Sequence, residues 1–428
     1  MCIRYDVRTV LGSMCLTALL LICFFCTCLG ISDRSPEIIN ILVLGVGSFY
    51  ITLYFGRKCK SKLSFWILMS GYGIRLACLL ADLYGRDFIT ILHSGVDSEK
   101  FYRIACGYYQ GDYSRFSTYY PYFLRCLFEI FGQNRFVVQY VNVFCWFLTA
   151  VLVIKICDLF EIPEKKRAFA YMVFAFWVNY IFLSGILMRE SIMIFLDTCS
   201  FFYFIRWMLS GKKTDLCTAF LLVIPPVILH IASVALWAAY LSIMAVWYRK
   251  KQKIIIYLQK WMKPLILLLI GGMLFYCMGL KEFVLSYTGG FSLYEITHRE
   301  WGTAGSQYLI NMDCRYWGQF FPFTIIRMFY FIFSPLPMDM RGLGDLLAFL
   351  CDSLPIFLLT VRICWNIRKK IVKGYVVAGL LCCVLFVVIF AWGTGAAGTA
   401  MRHRTLMIGI WTMTYVLSIE RKTEKRIG

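Results

Sequence analysis

Charge is scarce in this sequence. Only 16% of its 428 residues are Asp, Glu, Lys or Arg, against roughly 25% in soluble domains, whereas 60% are hydrophobic and the mean hydropathy is +0.70. A water-soluble globule is excluded. The sequence also lacks any Cys/His quartet with zinc spacing. Most of the 19 cysteines, among them Cys145, Cys199, Cys277, Cys382 and Cys383, lie inside apolar runs, where a thiol serves as a small buried filler. Cys106, Cys126 and Cys314 fall in segments assigned below to the outer side; one disulfide is open to them, and their spacing selects no pair. Repeats of fixed period, low-complexity stretches and linkers are absent as well, so a single membrane domain over 1–428 is expected.

What the chain does contain is apolar runs of about 20 residues, the length a hydrocarbon layer about 30 Å thick demands of a helix. The expected fold is all-α, a polytopic transmembrane bundle. Hydropathy places spans near 9–31, 37–55, 63–84, 136–159, 168–186, 190–209, 215–230, 232–248, 264–282, 344–362, 374–392 and 404–420. The first follows Arg4 and Arg8 as a signal sequence would, but it is long and lacks a small-x-small cleavage site, so it reads as a retained helix.

The formal net charge of +20 does not indicate nucleic acid, because the Lys and Arg residues cluster beside apolar runs as topology signals do. Arg57, Lys58, Lys60 and Lys62 form one cluster and Lys165, Lys166 and Arg167 another. Lys212 with Lys213, and the run from Arg249 to Lys263, follow. All lie on one side if the N-terminus is cytoplasmic. Arg368, Lys369, Lys370 and Lys373, and Arg421 to Arg426, join them only if a further apolar run, 320–336, does not cross. That run is therefore expected to be re-entrant or interfacial, in keeping with Pro322, Pro335 and Pro337. About 12 crossings then leave both termini inside.

Two long extracytoplasmic segments result, about 85–135 and 283–343. Within the first, Pro121 to Phe131 carries apolar residues with Arg125 and Glu129 four apart, the pattern of an amphipathic helix in the membrane plane. Polar residues gather on the same outer side: Asp97 and Glu99 in the first segment, Arg189 and Glu190 between the spans near 168–186 and 190–209, His230 between 215–230 and 232–248, and Arg402, His403 and Arg404 at the start of the last. A carboxylate beside arginines at lipid headgroup depth suits glycosyl transfer from a polyprenyl-phosphate sugar. The carboxylate takes the proton of a poor hydroxyl nucleophile, and arginine meets the charge on the departing phosphate.

Asp97-Ser98-Glu99-Lys100-Phe101-Tyr102, followed by Tyr120-Pro121-Tyr122 and Phe131-Gly132, resembles the first-loop acidic region of the C-type glycosyltransferase superfamily, bacterial membrane enzymes that use polyprenyl-linked sugars. In that family the loop follows the first helix; here two more helices precede it. Gly398-Thr399-Ala400-Met401-Arg402-His403-Arg404 looks like a motif of membrane proteins of exopolysaccharide assembly. Met188-Arg189-Glu190-Ser191 with His230-Ile231-Ala232-Ser233 is similar to the Arg…His pattern of O-antigen-type polymerases. The resemblance implies a polyprenyl-linked sugar donor, a glycan acceptor and the bacterial plasma membrane, with Asp97 and Glu99 catalytic and Arg189, Glu190, His230, Arg402, His403 and Arg404 binding substrate. It leaves open a divalent metal ion, to which Asp97 and Glu99 would offer hard oxygens.

Each of these residues also has a plainer reading: solvated loop charges for Asp97 and Glu99, a polar cap for His230, and headgroup anchors for the arginines. Arg75, Asp197 and Asp352 fall within spans, where a charge needs a partner or a wet cavity. An Arg75–Asp197 ion pair is one solution. A transporter or flippase remains the alternative from another class, although the unequal halves and lack of a repeat are unlike the paired architecture of many transporters.

Overall fold

The computed structural model describes residues 36–107, 118–246, 306–309, 312–314, 317–368 and 373–419. The expected spans at 9–31 and 264–282 lie outside them. The described residues are helical, with one isolated antiparallel bridge between Gln307 and Ala396. Six helices are long and apolar enough to cross a membrane, or seven if one pair bent by 53° counts as a single span.

Five of the six expected spans that these helices match keep their register: α1 (Pro36–Lys58), α2 (Lys62–Tyr84), α5 (Arg135–Leu159), α8 (Glu190–Ser210) and α14 (Gly374–Gly393). The sixth helix, α13 (Leu343–Arg368), extends past 344–362 and contains a π turn at Phe349–Ser353. Between α2 and α5 lie two short helices, α3 (Val96–Ala105) and α4 (Tyr120–Phe131). The latter is the expected amphipathic helix; Pro121 opens it, and Gly132 ends it at φ 69°, a backbone conformation open to glycine without a Cβ penalty. Arg125 and Glu129 pair along it at 3.4 Å on its exposed face.

The remaining expected spans among the described residues are broken or short. The 168–186 run is the bent pair α6 (Glu164–Ala175) and α7 (Val178–Gly185). Residues 215–230 form α9 (Lys213–Leu222) and α10 (Ile224–Leu229), separated just ahead of Pro225 and Pro226, whose rings and missing N–H groups prevent one continuous helix. The 232–248 run gives α11 (Val234–Val246). The 404–420 run falls within α15 (Ala397–Thr405) and α16 (Ile408–Ser418). The 320–336 run is α12 (Trp317–Phe333), an apolar helix of 17 residues with Pro322 inside, shorter than the candidate spans.

The described chain falls into two compact units. The first holds the residues up to Tyr203, Cys217–Ile231 and Ile419; the second holds Phe204–Leu216 and those within Ala232–Ser418. In the first, side-chain bonds tie helix ends together on two sides. At one end, Ser61 caps α2 and both Ser61 and Ser64 donate to Glu164 Oε1 at 2.5 Å, while Lys60 reaches Asp158 at 3.8 Å. These are the turns that carry the basic clusters. Between the two ends, α2 and α7 approach closely: a Cβ on Gly185 would come within 2.7 Å of Cys78 Sγ. Arg75, fully buried, donates to the carbonyls of Gly71 and Ala175 at 2.8 and 2.7 Å and lies over the Trp146 ring, 4.2 Å from its centroid. Carbonyls and aromatic faces hold this charge, not Asp197.

In the second unit α14 packs between α11, α12 and α16. A Cβ on Gly379 would meet Thr414 of α16, and Asn366 of α13 donates to Ser418 at 2.9 Å. Among the described residues Cys106, Cys126 and Cys314 form no disulfide.

Candidate functional site

The opposite ends of the first unit's helices hold a dense polar network. It starts from α5, whose Arg135, Gln139 and Asn142 are spaced four and three residues apart and so share one helix face. Gln139 donates to Asp82 Oδ2 at 2.5 Å. Asp82, in the last turn of α2, is 1% exposed, and it also accepts from Ser94 Oγ. Arg86 folds back over that turn, giving Nε to the Asp82 carbonyl at 2.5 Å and Nη2 to its carboxylate at 3.1 Å.

Glu99 of α3 joins the two arginines. Its Oε1 accepts from Arg86 Nη1 at 2.5 Å and from Arg135 Nη2 at 2.6 Å. Arg135 Nη2 is also 3.7 Å from Asp82, and its guanidinium lies 5.2 Å from the Tyr102 ring centroid. Two carboxylates and two guanidiniums thus alternate, which disperses like charge and supplies charge-assisted hydrogen bonds. Partial burial pushes the Glu99 carboxyl up, but Arg135 and Arg86 outweigh it and hold it below the usual value. Burial acts against the charge on Arg86, and Glu99 and Asp82 more than offset that, raising its pKa.

Asp97 stands in the first turn of α3, half-buried. Two residues along a helix is about 200° of rotation, so Asp97 and Glu99 point to different faces and do not form a pair of ligands to one ion. Among the described residues no group of three or more His, Cys, Asp or Glu side chains could hold a metal.

About 10 Å further along α5, Asn142 donates to the carbonyls of Ile186 and Met188 at 2.7 and 2.8 Å. It clamps the turn that presents Arg189 and Glu190, both buried. Glu190 opens α8, where a carboxylate complements the helix dipole. Arg189 Nη1 donates to the Leu229 carbonyl at 2.8 Å, which sets it beside the residue preceding His230. His230 caps α10 through its backbone N–H, bonded to the Pro226 carbonyl at 2.7 Å. Tyr120 of α4, fully buried, is within electrostatic reach of Glu190 and Arg189. The α5 face therefore connects the Glu99 network to the Arg189 turn; α3 and α4 reach that face, and α10 reaches the turn.

The third basic group belongs to the second unit. Arg404 of α15 is 1% exposed. Its Nε donates to Asp352 in the π turn of α13, Nη2 to Ser353 Oγ at 3.0 Å, and Nη1 to the carbonyls of Phe331 and Ile332 at 3.1 and 2.7 Å. All three guanidinium nitrogens bond to protein groups. His403 Nδ1 lies 3.2 Å from Thr394 Oγ1, and its ring packs against Phe390 at 4.6 Å. Arg402, half-buried, precedes it on the same helix.

Sequence reasoning missed Asp82, Arg86, Arg135, Gln139 and Asn142. The signal for the last three was present: three polar side chains at i, i+4 and i+7 in the first two turns of a mostly apolar span. Asp82 and Arg86 sit where a span passes into a loop, and charge there attracts little notice. Comparisons with protein-family models, with curated proteins and with solved structures found no match to this chain.

Proposed function

We propose that the protein is a membrane glycosyltransferase of the bacterial plasma membrane. It uses a polyprenyl-(di)phosphate-linked sugar at the extracytoplasmic face, in assembly of a cell-envelope polysaccharide. The full chain crosses about 12 times with both termini cytoplasmic, and it resembles the C-type superfamily. The observation that carries the reading is the sharing of Glu99 by Arg86 and Arg135 at the helix ends opposite the basic turns. In this arrangement Glu99 and Asp82 position the two guanidiniums, and the guanidiniums meet the donor phosphate.

Asp97, on a different face of α3, accepts the proton of the acceptor hydroxyl. The hydroxyl oxygen forms its bond to the anomeric carbon, the bond from that carbon to the phosphate oxygen breaks, and the electron pair leaves with the phosphate. Arginine stabilises that charge as it develops. Cells carrying Asp97→Asn or Arg135→Gln should lose the transferred sugar from their surface glycan at normal protein level; unchanged glycan in both variants refutes the reading.

The bond from Arg189 to the Leu229 carbonyl, next to His230, favours a second reading, an O-antigen or exopolysaccharide repeat-unit polymerase. Deletion would then leave single repeat units on the lipid, whereas loss of a transferase would alter the repeat itself.

A further inference from the structure

A cleft of about 380 Å³ opens where four helices of the first unit end, between Asn40 of α1, Tyr84 of α2, Phe131 of α4 and the segment Gln133–Phe136 that starts α5. Ligand sites begin at about 300 Å³, so the space suits a small headgroup. The same helix ends carry the Glu99 network, and Arg135 belongs to both.

The wall presents hydrogen-bond donors. Asn134 gives Nδ2 to Asn40 Oδ1 at 2.7 Å and uses its own oxygen to cap the Val137 N–H at 3.4 Å. The acceptor side of the Asn40 amide is thereby occupied, and its NH₂ group is left to donate. Arg135 commits Nη2 to Glu99 and Asp82, and among the described residues Nη1 is left to a ligand. Tyr84, 70% exposed, offers an aromatic plane at the rim. A guanidinium suits a phosphate, an amide suits a hydroxyl oxygen, and an aromatic face suits the apolar face of a pyranose. The guanidinium of Arg135 repels an inorganic cation, and a hydrocarbon chain would leave that charge unpaired.

We propose that this cleft receives the sugar phosphate headgroup of a lipid-linked donor, with Arg135 on the phosphate, Asn40 on the sugar hydroxyls and Tyr84 against the ring; the assignment rests on the glycosyl-transfer reading. The cleft thus selects a glycosylated lipid phosphate over the bare lipid phosphate, which is the product after transfer.

The test uses the full-length protein in phosphatidylcholine nanodiscs. The probes are a polyprenyl monophosphate, its hexosyl and N-acetylhexosaminyl esters, and the matching soluble sugar 1-phosphates, with binding followed by native mass spectrometry. At least one ester should bind ~10-fold more tightly than the monophosphate, equivalent to about 1.4 kcal/mol. Asn40→Ala and Tyr84→Ala should each abolish most of that preference and leave monophosphate affinity unchanged. Equal affinity for esters and monophosphate in the wild type overturns the assignment, as does either variant weakening both ligands alike. Soluble sugar 1-phosphates binding as tightly as the esters would overturn the lipid-linked part. Preserved ester preference alongside unaltered glycan in Asp97→Asn cells would defeat the transferase reading and keep the cleft as a binding site. Lost preference with normal glycan dependence on Asp97 would remove the cleft alone.

Discussion

Arg135 and Glu99, 36 residues apart in the chain, share a 2.6 Å hydrogen bond, and that bond joins the start of an apolar helix to a short helix outside the candidate spans. Glu99 holds Arg86 by the same oxygen. Glu99→Gln removes the charge that balances both guanidiniums. The variant should fold, because Asp82 still pairs with Arg86, but donor-phosphate binding should change and amides of 96–105 should exchange hydrogen faster. Hydrogen-exchange mass spectrometry checks this; unchanged protection of that segment contradicts it.

The same contact sets an acid dependence. The folded-state pKa of Glu99 lies below its ordinary value of 4.5. A depressed carboxylate contributes stability above its unfolded pKa and loses it as pH falls through the folded one. The α3 segment should therefore keep this protection in full above the ordinary value of 4.5 and lose it progressively as pH falls below that value. In Glu99→Gln the transition attributable to this group should vanish.

Asp352 and Arg404 predict a different signature. Both are 0–1% exposed, so removing one partner strands the other. Asp352→Leu and Arg404→Met should each cost about 3–5 kcal/mol, whereas the two together should cost much less than the sum. Thermal unfolding in detergent reads the cycle, and additive losses in the double variant would contradict a coupled pair.

Asn142→Leu tests the clamp on the Arg189 turn. The Met188 carbonyl would lose its side-chain donor, at about 1–3 kcal/mol for a buried group left unsatisfied, whereas the Ile186 carbonyl keeps the Met188 N–H at 3.0 Å. Melting temperature should fall. If Arg189 acts on substrate, activity should fall further than the fraction unfolded explains.

Span positions were legible from the sequence where an apolar run carries no interruption, as in α5 and α14, because length alone decides whether such a run can cross. Breaks were less legible. Pro225 and Pro226 were visible in the run 215–230, yet hydropathy averages over them, while the chain cannot. The amphipathic α4 was readable from its own residues, since Pro121 and Gly132 mark its ends. Pairings over long separations were not: nothing local to Arg404 points to Asp352, and nothing local to Arg75 indicates carbonyls and a Trp146 face in place of a carboxylate. Three of the four polar stretches expected at one face belong to the first unit; the fourth, Arg402 to Arg404, belongs to the second.

Topology can be read independently. Alkaline phosphatase fused after Tyr119 should be active and after Lys213 inactive, because the first lies among the helix ends assigned outside and the second in a basic turn. The reverse pattern would move the Glu99 network to the cytoplasmic side.

The most direct measurement compares surface glycan and lipid-linked intermediates in wild-type cells with those in Asp97→Asn and Arg135→Gln cells at matched protein level. The account predicts that both variants lack the transferred sugar and accumulate the charged donor lipid. Wild-type glycan with no accumulated donor, in both variants, would contradict it.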